Sequence, residues 1–417
     1  MPLNQFCYPK WRHYFMLQRA KFFKLPATSL TTYFCLAFIA MAGLSYINFL
    51  PGVVNALAGG IGFNEVEAGE IVASNGYGGL LGSIIAIFLV RKVSWQPAIV
   101  ACLVGLVFID ITTAWINHYG VMLGWRFLAG VLGGLCVGVA FSVLARMSNP
   151  DRAFGALLFV QFTIGSIVIS ILPGLEALVN AYAAFYIMAS ISLLSVIIML
   201  LLPALTLNDN VTERTMTLSG GRAQVVLLLL AITLYQVAAS AIWAYVGLIG
   251  HNASFSPDDV TLYIAITGLL GLIGAMLPVI NGKRYGRLYW VVGGLVMSLV
   301  SALLLSVSQL SLLSYVIAMA LLFFSWPAVY SYLLAVTAEL DESGRLSTIA
   351  AMVSSVGLAS GPLLASALLD TGDYSTMLYS CAVFFLVSLL LLLKPVRAQE
   401  QTHEEQSSSD LSSQYQS

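Results

Sequence analysis

Among the few ionisable side chains inside long apolar runs, Glu70, Asp110 and Arg126 stand out. An arginine at the centre of a membrane helix costs roughly 2.5–3.5 kcal/mol on insertion scales, and less nearer an end. Such a residue is kept where it faces a protein interior or a watery cavity and has a partner. Asp110 and Arg126 lie eight residues either side of His118, the centre of a turn between two apolar runs. At 1.5 Å per residue both fall roughly 12 Å from that turn, so antiparallel neighbours bring them to one depth. Glu70 is expected at a similar depth on a third helix. Two acids would then share one base, and the spare carboxyl would be free to take up and release a proton. Two other readings stand beside this one. Asp110–Arg126 is a structural pair while Glu70 sits in surface water with Glu65 and Glu67, or the flat guanidinium holds an anionic solute.

The remaining polar groups in apolar runs are uncharged. Asn48 and Asn55 flank Pro51-Gly52, a dipeptide able to break a helix and free carbonyls toward a cavity. Gln161 is the strong polar group deep in its run, and Asn75 reads as interhelical glue. Tyr235, Gln236 and Trp243 share one run, with Tyr235 and Trp243 about two turns apart; Trp326 and Tyr330 share another. Aromatic faces at such places suit a ring-bearing or amphipathic solute, although packing and interfacial roles are commoner for them. The substrate-binding set is therefore Asn48, Gln161, Tyr235, Gln236, Trp243, Trp326 and Tyr330.

The elements that must carry these groups are membrane helices. Of 417 residues, 59% are hydrophobic and only 9% charged, against about 25% charged in soluble domains. Apolar runs of membrane length fall near 29–56, 66–90, 97–116, 120–145, 153–177, 181–204, 223–249, 259–280, 288–307, 311–337, 346–369 and 374–393. Lys and Arg concentrate in alternate loops on the side of the basic N-terminus. They include Arg91 and Lys92 after run 2, Arg146 and Arg152 after run 4, and Lys283, Arg284 and Arg287 after run 8. The intervening loops hold Glu65, Asp258, Asp259 and Asp373 instead. The positive-inside rule then puts both termini in the cytoplasm. The expected organisation is a basic tail (1–28), a six-helix half (29–204), a cytoplasmic central loop (205–222), a second six-helix half (223–394) and a disordered tail (395–417). Arg126 is followed by Gly130, Gly134 and Gly138, which stack on one helical face and invite close approach by another helix. Gly357 and Gly361-Pro362 read as a second close-packing element. Five scattered cysteines and two distant outer histidines, His118 and His251, suggest no metal, and no phosphate-binding loop appears, so no cofactor is expected.

Two six-span halves, with Arg126, Gly130 and Gly134 in span 4 and Lys283-Arg284-Tyr285-Gly286-Arg287 after span 8, resemble the major facilitator superfamily. The loop after span 2 keeps Arg91-Lys92 of that family's pattern and lacks its Asp and Gly. The resemblance implies an all-α fold of two six-helix repeats with a solute site between them near the midplane. It also implies a gating role for Arg91, Lys92, Lys283, Arg284, Gly286 and Arg287. The expectation is a non-enzymatic secondary carrier of a small organic solute, monomeric, in the cytoplasmic (inner) membrane. It touches lipid and no nucleic acid, with proton coupling as one option. A multidrug/proton antiporter and a transporter-like receptor or assembly factor that moves nothing are the alternatives.

Overall fold

The computed structural model describes residues 29–90, 93–202, 221–281, 287–340, 345–369 and 373–414. Among them, twelve helices are long and apolar enough to cross a membrane. Spans 1 to 6 are Leu30–Asn48, Glu65–Leu89, Trp95–Thr112, Tyr119–Ala145, Pro150–Leu178 and Ala183–Leu201. Span 7 is Arg222–Asn252, and span 8 is built of Pro257–Gly268 and Leu270–Asn281. Spans 9 to 12 are Arg287–Leu305, Leu312–Leu340, Arg345–Leu368 and Ser375–Gln414. The last helix continues past its apolar part through residues 395–414, where a disordered tail was expected. The Ala, Gln and Glu of that segment are good helix formers, and a helix already started extends more cheaply than a new one begins.

Two six-helix bundles are related by repeated packing. Span 1 packs on 5 as 7 packs on 11; 2 on 4 as 8 on 10; 3 on 6 as 9 on 12; and 3 on 4 as 9 on 10. The halves meet through spans 2 and 11 and through spans 5 and 8. These are matching contacts under exchange of the two repeats, so the interface is itself near two-fold.

The tightest crossing is that of spans 2 and 4, and glycine makes it. A methyl group on Gly130 would overlap the Asn75 carbonyl, and one on Gly134 would overlap that of Gly79. Gly78 and Gly82 meet the Phe127 and Val131 carbonyls from the other side. Backbone meets backbone, and three side chains stitch the seam. Ser74 Oγ donates to the Leu123 carbonyl (3.0 Å), Asn75 Nδ2 to that of Arg126 (2.9 Å), and Ser83 Oγ to that of Gly134 (3.2 Å). Gly357 and Gly361 of span 11 do the same work against Thr233 and Val237 of span 7.

Span 1 ends at Asn48 and gives way to a short helix, Leu50–Asn55, and then a π-helical turn, Ala56–Ile61. Pro51 is the cause. It offers no N–H to the Ile47 carbonyl four residues back, and the chain kinks at Phe49. Gly62 takes a positive φ of 104° to stop the π turn, and Asn64 and Glu67 then form a capping box that starts span 2. Glu67 is therefore spent on a helix end.

Candidate functional site

Arg126 donates from Nη1 to Asp110 Oδ1 at 2.8 Å and to Thr113 Oγ1 at 3.2 Å. Both members of the ion pair are buried, at 1% and 3% exposure. The guanidinium carbon also lies 4.7 Å from the Tyr46 ring centre and 4.9 Å from that of Phe185. A desolvated cation over an aromatic face gains about 2 kcal/mol. Two rings, one carboxylate and one hydroxyl thus hold the charge. Nε of Arg126 and Oη of Tyr46 remain buried without a hydrogen-bond partner.

Glu70 does not join this cluster. It accepts a hydrogen bond from Tyr119 Oη, and no ion pair joins it to Arg126 among the described residues. The reason is register. Spans 2 and 4 run parallel, offset by about fifty positions, as Ser74–Leu123 and Asn75–Arg126 show. That offset sets Glu70 level with Tyr119, while Arg126 lies level with Asn75, about 7.5 Å deeper along the helix. The expected two-acid, one-base site is therefore a one-acid, one-base pair.

Above this pair lies one end of a cavity of about 950 Å³. It extends from Asp110 and Arg126 to the helix ends beside the basic loops, reaching Ile87 on span 2, Ala145 on span 4 and Ser347 on span 11. Toward the opposite face the halves close. Tyr77 Oη bonds Ser360 Oγ at 2.8 Å, and Tyr245 Oη donates to the Glu65 carbonyl at 2.7 Å. The walls are mostly apolar or small, with Tyr46, Asn75, Ser240, Trp243 and Ser355 as polar points.

Of the seven uncharged candidates, Trp243 lines this cavity. Its indole Nε1 donates to the Ile47 carbonyl at 2.9 Å, the same carbonyl that Pro51 left without its helical donor. Its ring packs edge-on against Phe323, 5.0 Å between centres. The other six lie off its wall in this arrangement. Asn48 Nδ2 donates to the Gln161 backbone carbonyl at 3.0 Å, tying span 1 to span 5, and neither residue borders the cavity. Tyr235 turns away from it, bonding Ser298 at 3.0 Å and packing on Phe385. Gln236 is buried between Trp326 Nε1 and Ser354 Oγ, each at 2.5 Å, so Gln236 and Trp326 form an internal bridge between spans 7, 10 and 11. Tyr330 is partly buried on span 10, off the cavity wall. Arg91, Lys92, Lys283, Arg284 and Gly286 lie outside the described residues, and Arg287 opens span 9.

Glu176 is not among the site residues expected from the sequence. It is an acid inside the fifth apolar run, three residues beyond Pro173, and that alone was a signal. Its Oε1 is buried without a partner, and it lines a second cavity of about 400 Å³ near the acidic loops. Thr113 and Phe185, which complete the cage around Arg126, carried no signal in the sequence.

The family model described as Major Facilitator Superfamily matches residues 33–340 and 228–413. No protein of curated function matches the chain in sequence. Among solved structures, a mutant of the nucleoside transporter NupG superposes with a TM-score of 0.74 at 12% identity, covering 88% of this chain and 99% of that one. The POT family transporter PepTSo gives 0.68 at 13% identity, covering 90% and 99%. The human organic anion transporter MFSD10 gives 0.62 at 17% identity, covering 88% and 100%. At these identities the likeness is one of fold.

Proposed function

The chain belongs to the Major Facilitator Superfamily, and from that membership and its site we propose that it carries a small organic solute across the cytoplasmic membrane by alternating access. The observation that supports this reading is the buried Arg126–Asp110 pair at the inner end of a cavity bounded by both halves. A cavity of about 950 Å³ lies at the upper end of the range for small-molecule sites. Its walls suit a largely apolar body, and its one charged end suits a single polar or anionic group. The pair is neutral as a whole, which favours a solute that can exchange with Asp110 for the guanidinium over one attracted from afar. In this reading the basic face is cytoplasmic and the described arrangement is the one open to the cytoplasm.

Counterflow in proteoliposomes with a panel of small carboxylates, nucleosides and peptides tests it. Flux for at least one class is expected. Arg126→Ala should abolish that flux, and Arg126→Lys should leave it impaired, because an ammonium keeps the charge and loses the flat fork. Full flux in Arg126→Ala would remove Arg126 from the pathway. The breadth of apolar wall favours, as second reading, export of amphipathic compounds. Efflux of several unrelated lipophilic cations by intact cells would favour it. Correctly folded protein with no flux of any kind would favour the receptor reading.

A further inference from the structure

The second cavity lies between the halves near the acidic loops, away from Arg126. Its walls come from the broken end of span 1 (Pro51 to Gly60), the end of span 5, the end of span 7 and the start of span 8. We propose that it is a cation site, in which Glu176 takes up a proton or a sodium ion.

Four independent features converge on a missing positive charge. Glu176 Oε1 is buried with no donor, and so is Asn55 Oδ1 on the wall of the same cavity. Two orphaned acceptors line one cavity, and neither has a partner that carries positive charge or hydrogen. Pro173, also on the wall, deprives the Ile169 carbonyl of its helical donor, and Ile169 lines the same space. The π turn at Ala56–Ile61 brings a further stretch of irregular backbone, including Gly59 and Gly60, to the wall. Glu176 finally stands in the last turn of span 5, which ends at Leu178. The free carbonyls of a helix C-terminus repel a carboxylate and attract a cation. Discontinuous helices and helix C-termini are the backbone devices that hold small cations in carriers.

Among the described residues, no fixed cation serves Glu176 instead. Span 1 offers no ionisable group along this wall. Span 7 offers His251, which borders the cavity but forms no ion pair with Glu176 among the described residues. Span 8 offers Asp258, which is exposed, and Asp259, which is half-buried and bonded to Ser256. Arg126 on span 4 is committed to Asp110, and span 6 carries no charged residue. The assignment deepens the carrier reading by giving the coupling ion a place. Its test reads cation binding without any flux, so either can fail alone.

Purified full-length protein is treated with dicyclohexylcarbodiimide, which attacks protonated carboxyls in apolar surroundings, over a pH series in choline chloride, and adducts are located by mass spectrometry. Glu176 should be labelled, with labelling falling about tenfold per pH unit above its midpoint. Asp110, held by Arg126, should stay unlabelled and serves as internal control. The series is repeated with sodium chloride and with potassium chloride. Protection by sodium alone identifies a sodium site; equal labelling in all three salts identifies a proton site. Glu176→Gln should also lose the pH- or sodium-dependent shift in melting temperature. Should that variant fail to fold, the wild-type labelling decides. Absence of a Glu176 adduct at every pH, or an adduct indifferent to both pH and sodium, overturns the proposal.

Discussion

Arg126 is the residue whose removal separates structure from function. Arg126→Ala leaves Asp110 charged in a dry site, a loss of about 3–5 kcal/mol by analogy with other broken buried pairs. Adding Asp110→Asn removes the stranded carboxylate, so the double variant should melt at a higher temperature than Arg126→Ala alone. Equal melting of the two variants would show that the residues do not act as a pair. Tyr235 gives the contrasting case. Its hydroxyl serves Ser298, so Tyr235→Phe should cost about 1 kcal/mol in thermal stability and leave solute affinity unchanged. The Asp110–Arg126 contact was legible because both residues are counted from one turn, and a helical hairpin fixes the depth of each. Glu70 was misplaced because its depth depends on the register between spans 2 and 4, which loop length does not fix.

Glycine decides how closely the spans cross. Gly134→Ala drives a methyl into the Gly79 carbonyl, and backbone cannot swing aside as a side chain can. A loss of about 1–3 kcal/mol or more is expected from such overpacking. Gly124→Ala, on the same helix but with open space around it, should stay within about 0.5 kcal/mol of wild type. Melting curves of the two variants in one detergent check the contrast. The Gly130, Gly134 and Gly138 stripe could be read from spacing alone, since positions four apart share a helix face. Its partner could not, because any small-residue helix fits such a stripe. Span 2 proves complementary, with Gly78, Gly79 and Gly82 facing it. Most of the polar candidates lie off the cavity in this arrangement for a related reason. A polar side chain in a membrane helix must satisfy itself, and Asn48, Gln236 and Trp326 do so against neighbouring spans before any solute arrives.

At the scale of the whole molecule, charge is unevenly divided. Every carboxylate or guanidinium that reaches deep among the spans belongs to the first half, whereas the second half supplies tyrosines, tryptophans, serines and Gln236. Span number and the alternation of basic loops followed from composition and charge, because lipid imposes both. Which face the cavity opens to was not legible, since one sequence serves every state of a carrier. The opening can be measured. Ser355→Cys, placed on the cavity wall in a Cys7→Ser background, should react with a membrane-impermeant maleimide in inside-out vesicles. The same position in intact cells should react at least several-fold more slowly. Cys102, Cys136 and Cys381 are buried and should add little background.

The bond from the Trp243 indole to the Ile47 carbonyl crosses from one half to the other. Pro51 has made that oxygen permanently dependent on a donor from the opposite bundle. If the bundles swing apart there, the oxygen is bare until water or the cargo itself arrives, and a bare buried acceptor costs about 1–3 kcal/mol. A cargo able to donate a hydrogen at that spot would ease the swing, whereas an empty carrier would meet the full barrier. On the proposed alternating-access cycle, one imino acid just past the first span would then hold the empty molecule still until it is loaded.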